Sequence, residues 1–339
     1  MIWNTRYNPP DTKSWQGRPD VPLGSCFFQI IQPLHLNQPL PPAVQEKQAF
    51  ALIGFCCDEG IRRNLGRPGA AKGPGVIREI LAKLPVQKQN FVCYDAGDIN
   101  CTDGDLENSQ AALGEVVNLL LQAGMTPIVL GGGHELAWGH YQGIAKKFPD
   151  ERLGIVNFDA HFDMRPLLPN GDGSSGTPFL QIALAHQSAK RSFDYNCIGI
   201  QHAGNIRQLF DTAKKYHAQI LLADDLHQGY MDKCINFIDR VIDQNQIIYL
   251  SLCLDVFAAP YAPGVSAPQT LGITPWQIMP LVRQLAASGK VISYDIAELC
   301  PPHDIDYRTA KLAANFIYEI IHHHVHTIGI HHGHNQSAS

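Results

Sequence analysis

Three side chains that could bind a metal ion stand at alternate positions directly behind an apolar run. Residues 157–165 read NFDAHFDMR, which places Asp159, His161 and Asp163 two residues apart. Alternate residues of an extended strand project to the same side, so these side chains should converge. Two carboxylates and an imidazole in convergence suit a hard or borderline divalent cation. The segment therefore predicts a metal site.

The surrounding sequence alternates between short apolar runs and longer amphipathic stretches. Alternation of this kind predicts right-handed crossovers and a mainly parallel sheet with helices on both faces. Length alone favours about two domains, but the unbroken alternation favours a single α/β domain, a three-layer αβα sandwich of about eight strands. The predicted strands are 50–55, 91–94, 127–130, 153–158, 195–200, 220–222, 247–254 and 291–294. The predicted helices lie near 74–83, 106–123, 135–147, 204–216, 230–243, 275–287 and 306–322.

The two ends of the chain differ from this pattern. Residues 1–48 are rich in proline, and we expect an irregular arm on the surface of a domain that spans residues 1–321. Residues 322–339 are rich in histidine and polar, which predicts a frayed or partly helical tail, with loose metal binding as the alternative.

Further polar residues follow other predicted strands. Ligands in open α/β sheets collect beyond the carboxyl ends of the strands, and His134, Cys253, Asp255 and Glu298 occupy such positions. Taken singly, the glycines before His134 suit an ordinary turn, a lone histidine suits packing or capping, and strand-end carboxylates suit helix caps. Together they place many acids at one rim, which is strongly unfavourable without a cation. We therefore favour a metal centre built from several strand ends.

Composition excludes several classes of function. With 45% hydrophobic and 17% charged residues, the 339-residue chain has ample material for a globular core. A net charge of −5 argues against a nucleic-acid or membrane-surface binder, because such proteins need a basic face. The sequence shows neither a secretory leader nor an apolar span. Nine cysteines without C-x-x-C spacing fit reduced thiols, so we expect a cytoplasmic protein.

Several motifs resemble those of one enzyme superfamily. GGGHE at 131–135, NFDAHFDMR at 157–165, SLCLD at 251–255 and APGVSAP at 262–268 look like the metal signatures of the ureohydrolases, the arginase and agmatinase relatives. WQGR at 15–18, CDEGIRRNLGRPGAAKGP at 57–74 and SSGTPF at 174–179 resemble the formimidoylglutamase branch. The likeness runs from about residue 15 to about residue 314. It implies an arginase-like three-layer fold with an eight-stranded parallel sheet.

The resemblance also implies two Mn²⁺ ions. His134 and Asp163 would hold one ion, His161 and Asp255 the other, and Asp159 with the residue at 253 would bridge them. The relatives usually have aspartate at this second bridging position, where this chain has Cys253. A thiolate is softer than a carboxylate and shifts preference from Mn²⁺ toward Zn²⁺ or Fe²⁺. Alternatively, Cys253 is a neutral thiol that leaves the second site short of charge, or simply a buried apolar side chain.

The implied reaction is hydrolysis of N-formimidoyl-L-glutamate to L-glutamate and formamide, a step of histidine degradation. A water shared by two divalent cations loses a proton near neutral pH, which gives a metal-activated hydroxide. Glu298 matches the acid that pairs with the cationic C–N group of the substrate, with a structural ion pair as the alternative. Asp163 is the candidate general acid for the leaving nitrogen.

The substrate's two carboxylates call for positive charge near the metal site. Arg165, Arg62, Arg63 and Arg67 are candidates because a planar guanidinium suits carboxylate recognition, although solvated surface arginines are the alternative for each. Ser175, Gly176 and Thr177 could add hydroxyl or backbone donors.

Other functions remain open at this point. They are another guanidino or amidino hydrolase, such as an agmatinase, guanidinobutyrase or arginase, and a metal-binding relative that lost catalysis through Cys253. The relatives commonly assemble as trimers or hexamers, so the resemblance also implies a homo-oligomer.

Overall fold

A computed structural model describes residues 2–41, 47–88 and 90–325, and its central feature is one large β-sheet. Within these residues the strands are β1 (Tyr7–Asn8), β2 (Gln32–Pro33), β3 (Gln48–Cys56), β4 (Phe91–Asn100), β5 (Thr126–Gly131), β6 (Leu153–Phe158), β7 (Asp194–Ile200), β8 (Gln219–Leu222), β9 (Ile247–Cys253) and β10 (Val291–Ala297).

The eight longer strands form a parallel sheet in the order β4-β3-β5-β10-β9-β6-β7-β8. This confirms the predicted three-layer α/β class, and each of the eight predicted strands is present. The two short strands of the amino-terminal arm were not predicted. β1 pairs with β4 antiparallel and β2 pairs with it in parallel, so both cover the edge of β4. Covering the edge satisfies backbone groups that would otherwise be open to another chain.

Helices cover both faces of the sheet. They are α1 (Phe27–Ile30), α2 (Glu59–Arg63), α3 (Gly73–Leu81), α4 (Leu106–Gln122), α5 (Leu136–Lys147), α6 (Pro178–Ser188), α7 (Arg207–Lys215), α8 (Ala223–His227), α9 (Met231–Gln244), α10 (Pro275–Ala287) and α11 (Arg308–His324). All seven predicted helices are present, α10 with the predicted ends and the other six with one or both ends shifted by one to three residues. Helix α6 and the short helices α1, α2 and α8 were not predicted.

Two apolar cores lie on opposite faces of the sheet. Alternate residues of β3 show the division, since Phe50 and Leu52 enter one core whereas Ile53 and Phe55 enter the other. Helices α3 and α8 to α11 pack on the first face, and α4 to α7 on the second. Burial on both faces explains why the strands read as continuous apolar runs rather than as alternating ones.

The ends of the chain are tied to the domain. In the arm, Trp15 Nε1 donates to Asp95 Oδ2 at 2.7 Å. At the other end, α11 extends through His324, and both His322 and His324 are buried. The predicted tail boundary at residue 322 thus falls inside a packed helix, and residues 326–339 lie outside the described part of the chain.

The sheet order places four strand ends next to one another. Strands β5, β10, β9 and β6 are consecutive in the sheet, and all run in the same direction. Polar residues that follow these strands therefore share one edge, where ligands of open α/β sheets bind. Across the described ranges, no helix combines the length and apolar character needed to cross a membrane.

Candidate metal centre

The turn after β5 carries His134 and depends on glycine. A Cβ at Gly132 would lie 2.0 Å from the carbonyl oxygen of Cys57, so no other residue fits without moving the backbone. In the same turn, the carbonyl oxygen of Gly132 accepts a hydrogen bond of 2.9 Å from the backbone N–H of Glu298. This close approach ties the ends of β3, β5 and β10 together and leaves His134 only 1% exposed.

The motif after β6 reaches its positions differently from the sequence expectation. The strand ends at Phe158, so Asp159, His161 and Asp163 lie in the following loop rather than on an extended strand. Asp163 adopts a left-handed backbone conformation with φ of 46°. Such a conformation is strained for a residue with a Cβ and is typical of functional sites. The side chains still converge, but through a loop conformation that alternation alone does not describe.

The end of β9 supplies the remaining pair. Cys253 is the last residue of the strand, and Asp255 lies in the 3-10 turn Leu254–Val256 that follows. Both are buried, at 1% and 5% exposure respectively.

The candidate ligands form two groups that share Asp159. In the first group, ligand atoms of His134, Asp159 and Cys253 all lie within 4.8 Å of one another, and in the second the same holds for Asp159, His161 and Asp255. His134 Nδ1 lies 3.0 Å from Asp159 Oδ2 and 2.9 Å from Asp163 Oδ2. His161 Nδ1 lies 3.0 Å from Asp255 Oδ2 and 3.5 Å from Asp159 Oδ1. Asp159 thus turns one oxygen to each histidine, as a ligand shared by two ions does.

Buried atoms without hydrogen bonds face this space. Within the described residues, His134 Nδ1, Asp255 Oδ1 and Glu298 Oε2 are buried and lack a partner of hydrogen-bond geometry, although His134 Nδ1 lies close to two carboxylate oxygens. Buried polar atoms are normally satisfied, so their convergence indicates a missing positive partner. Imidazole and carboxylate donors suit a divalent transition metal ion, and the residues therefore fit a metal pair.

The electrostatic environment of the site also favours bound cations. Burial by itself lowers the pKa of His134, but Asp159 and Asp163 outweigh it and raise that pKa well above the ordinary value. For Asp163 itself, burial and the charge of Asp159 raise the pKa to about 6. Burial and the charges of Asp159 and Asp255 raise the pKa of the Cys253 thiol well above its ordinary value. The site carries more acid than its histidines neutralise, and bound cations relieve this excess.

A buried hydrogen-bond network orients His134 from behind. Ser251 Oγ donates to Asp295 Oδ1 at 2.6 Å and lies 2.9 Å from His134 Nε2. Because the Ser251 proton goes to the carboxylate, its oxygen accepts from Nε2–H, which leaves the Nδ1 lone pair directed at the ligand cluster. His140 Nδ1, at 2.8 Å, and the Tyr249 hydroxyl contact Asp295 Oδ2. This network was not predicted from the sequence, although Asp295 belongs to the same strand-end segment as Glu298.

A cavity of about 330 Å³ opens onto the cluster. Glu298 lines it with φ of 74°, another left-handed non-glycine residue of the site. Its Oε1 accepts the backbone N–H of His134 at 3.0 Å, which leaves Oε2 available to a ligand. Burial and the charge of Asp255 raise the pKa of Glu298 well above its ordinary value.

Two of the predicted substrate arginines do not reach this cavity. The Arg62 side chain is 66% exposed and its Nε donates to Glu59 at 2.7 Å. Arg63 Nε donates to Glu59 at 2.9 Å, and its Nη1 donates to Glu107 at 2.6 Å. Neither lines the cavity, because neighbouring acids hold both guanidinium groups elsewhere.

Arg165 and Arg67 do line the cavity. Arg67 is held by two carbonyl groups, with Nε 3.0 Å from Ser266 O and Nη2 2.5 Å from Val265 O. The Arg165 side chain lies against Gly176, where a Cβ would be 2.8 Å from Arg165 Cδ. Glycine at position 176 thus makes room for the arginine, and its role as a backbone donor to the substrate stays a prediction.

Of the two neighbouring hydroxyl residues, Ser175 and Thr177, only the first lines the cavity. Ser175 lines the cavity, and its Oγ accepts from Asn64 Nδ2 at 3.1 Å. The Thr177 hydroxyl instead turns into its own loop, 3.0 Å from the carbonyl oxygen of Ser174, and is not part of the lining. Asn64, which also lines the cavity, was missed by the sequence analysis because an asparagine in a loop carries no spacing signal.

Comparison with known proteins agrees with this architecture. Residues 48–323 match the Arginase family. A formimidoylglutamase of Legionella pneumophila is 46% identical over 317 residues, covering 94% of this chain and 98% of the relative. That of Geobacillus thermodenitrificans is 41% identical over 319 residues, covering 94% and 97%. The crystal structure of Trypanosoma cruzi formiminoglutamase with Mn²⁺₂ superposes with a TM-score of 0.74 at 26% identity, covering 84% of this chain and 96% of that one. This chain belongs to the arginase family.

Proposed function

We propose that this protein hydrolyses N-formimidoyl-L-glutamate to L-glutamate and formamide at a two-metal centre. Curated relatives at 40–46% identity over more than nine-tenths of the chain are formimidoylglutamases, which supports a hydrolase acting on an amidine C–N bond. The observation that carries the proposal is the pair of ligand groups that share Asp159 beneath a cavity lined by Glu298 and Arg165.

Two Mn²⁺ ions are the proposed cofactors. His134 and Asp163 would hold one ion and His161 and Asp255 the other, and Asp159 and Cys253 would complete the set of ligands. A divalent metal pair supplies an activated water nucleophile and steadies the negative charge that develops during attack. Cys253 is the soft donor of the set, and it shifts the preference of the shared position toward Zn²⁺ or Fe²⁺.

Glu298 orients the reacting carbon. Its Oε2 is buried without a hydrogen bond at the cavity, whereas Oε1 is fixed by the backbone N–H of His134. A planar amidinium can donate to such a carboxylate, and the contact places the formimidoyl carbon over the ligand cluster.

Asp163 transfers a proton from the attacking water to the leaving nitrogen. It lines the cavity and its Oδ2 lies 2.9 Å from His134 Nδ1, so its carboxylate is placed to take a proton from the attacking water and pass it on. Water adds to the formimidoyl carbon, the C–N bond to glutamate breaks, and Asp163 delivers the water-derived proton to the departing glutamate nitrogen. Formamide keeps the oxygen of the water.

Arg165 binds a substrate carboxylate. Its guanidinium lines the cavity and pairs with no carboxylate of the described chain, so its charge is available to an anionic substrate. Arg67 adds a second cation, already oriented by its two carbonyl contacts. Ser175 supplies a hydroxyl donor beside them.

Two further proposals concern the cellular compartment and the oligomeric state of the protein. All nine cysteines are unpaired, which supports a reducing compartment such as the cytoplasm. Leu271 and Trp276, two large apolar side chains, are 74% and 76% exposed, and we propose that another copy of the chain covers them in a homo-oligomer.

Parallel assays test the substrate assignment. The purified protein, loaded with Mn²⁺, is given N-formimidoyl-L-glutamate, arginine and agmatine, and released glutamate and urea are measured. We expect glutamate release from the first substrate only. Urea release without glutamate release would overturn the assignment in favour of a guanidino hydrolase, and inactivity on all three would favour a non-catalytic relative.

A further inference from the structure

Glu135 is a buried acid that the proposed reaction does not use. It follows His134 directly and is 0% exposed, yet it belongs to neither group of candidate metal ligands. Its Oε1 accepts the backbone N–H of Gly60, in helix α2, at 2.9 Å. The contact therefore joins the metal-site turn to a segment that lies 75 residues earlier in the chain.

The packing around this carboxylate is as close as a backbone allows. A Cβ at Gly60 would lie 2.5 Å from Glu135 Cδ, and a Cβ at Gly133 would lie 2.0 Å from Glu135 Oε2. Any side chain at either position would displace the carboxylate. The position of the Glu135 carboxylate thus requires glycine at both position 60 and position 133.

The segment held by Glu135 carries cavity-lining residues. Helix α2 ends at Arg63 and is followed at once by Asn64, Leu65, Gly66 and Arg67, all of which line the cavity. Beyond the contact with Glu135, residues 60–67 are anchored by Arg63 to Glu107, by Asn64 to Ser175 and by Arg67 to Ser266. Glu135 is the anchor at the amino-terminal end of this stretch.

We propose that Glu135 is a positioning residue for substrate recognition, which fixes residues 60–67 against the metal-site turn. The proposal rests on the proposed function, in which Arg67 faces a substrate carboxylate. It assigns to Glu135 an effect on substrate binding and none on metal binding, although its neighbour in the chain is a candidate metal ligand.

Two variants of Glu135 test the proposal in the metal-loaded protein. Glu135→Ala removes the acceptor, and we expect KM to rise about tenfold or more, the cost of one buried hydrogen bond, with kcat much less changed. Glu135→Gln keeps a carbonyl oxygen for Gly60 and should restore most of the loss. Glu319→Ala, which breaks a half-buried ion pair with Arg283, is the matched control and should leave KM unchanged.

A second pair of variants probes the fit between Gly60 and Glu135. Gly60→Ala introduces the methyl group that collides with the carboxylate, so KM should again rise. In the double variant with Glu135→Ala that space is free, and KM should be no higher than for Glu135→Ala alone. Additive effects of the two substitutions would overturn the proposal.

A measurement without substrate separates this proposal from the assigned activity. We expect hydrogen exchange of the amides at 60–67 to speed up in Glu135→Ala but not in Glu135→Gln, with the metal content of both variants unchanged. Unchanged exchange, or loss of metal in Glu135→Ala, would contradict the positioning role. Faster exchange in a protein inactive on formimidoylglutamate would retain the contact but overturn the substrate assignment.

Discussion

Two pairs of partly or fully buried histidines in this protein have opposite electrostatic surroundings. At the carboxyl ends of the strands, Asp159 and neighbouring acids overcome burial and raise the pKa of both His134 and His161 well above the ordinary value. In helix α11, burial lowers the pKa of His322, and it lowers that of His324 to about 4. The His324 ring lies between aromatic residues and contacts the Tyr294 hydroxyl at 2.7 Å.

This difference shows why histidine content is a poor guide to metal binding. A buried imidazole surrounded by rings is most stable when neutral, whereas one surrounded by carboxylates favours added positive charge, from a proton or a metal ion. The acids of the strand ends, rather than the histidines, therefore define the candidate centre. The histidine-rich carboxyl terminus serves packing as far as residue 325, where the described structure ends.

Removal of the shared carboxylate should have the largest effect. In Asp159→Ala both ligand groups lose a member, so we expect both metal ions to be lost and kcat/KM to fall on the order of a thousandfold or more. Elemental analysis and the glutamate-release assay measure the two effects. Asp239→Ala, on the surface, is the control. Full metal content in Asp159→Ala would mean that the two groups are not one centre.

Matched alanine variants of the two histidine pairs should separate metal binding from stability. We expect His134→Ala to lose one metal ion and about a hundredfold or more in activity, with little change in the thermal midpoint of the metal-free protein. His324→Ala should keep its metal and lose roughly 1–3 kcal/mol of unfolding free energy. Loss of metal in His324→Ala, with full metal content in His134→Ala, would show that the other histidine pair binds the metal.

The pH dependence of stability offers a finer test at His324. Its pKa is about 4 in the folded protein against an ordinary value of 6.5, so the unfolded chain takes up the proton first as the pH falls. The contribution of the neutral imidazole is complete above about pH 6.5 and is lost toward pH 4, at up to about 1.4 kcal/mol per pH unit. Denaturant unfolding of the metal-free protein measures this. The variant His324→Phe should show a shallower dependence in that window, and an unchanged slope would be evidence against a neutral buried His324.

Substitution of the thiol should give the smallest change. Cys253→Asp replaces a soft donor by a hard one, and we expect a severalfold gain in affinity for Mn²⁺ relative to Zn²⁺. Competition between the two ions, followed by elemental analysis, measures the ratio. Cys253→Ser controls for loss of sulfur without gain of charge, and an equal shift in both variants would show that carboxylate charge is not the cause.

The sheet could be predicted because its strands are buried on both faces. Continuous apolar runs such as β6 and β9 have few alternatives, and all eight long strands were found. Helix α6 was missed because its apolar residues are spread around the helix, with Leu184 still 39% exposed, and because it begins inside the motif SSGTPF, which was interpreted only as a source of hydrogen-bond donors. The strands β1 and β2 are too short to give a periodic signal.

Some residues of the site could also be predicted from the sequence, and others could not. His134, Asp159 and Asp255 could be predicted to converge because sheet order fixes where strand ends meet. The direction of Arg62 and Arg63 could not, because a guanidinium pairs with whichever acid is near, here Glu59 and Glu107, and the sequence does not show which acid that is. Asp163 and Glu298 depend on left-handed backbone conformations that their residue types do not signal.

A crystal structure of the manganese-loaded protein, with anomalous scattering and a metal count per chain, tests the central claim most directly. We predict two ions per chain, one beside His134 and one beside His161, with Asp159 in contact with both. Ions bound instead at residues 322–324, or a ligand cluster that stays empty at saturating Mn²⁺, would contradict the account.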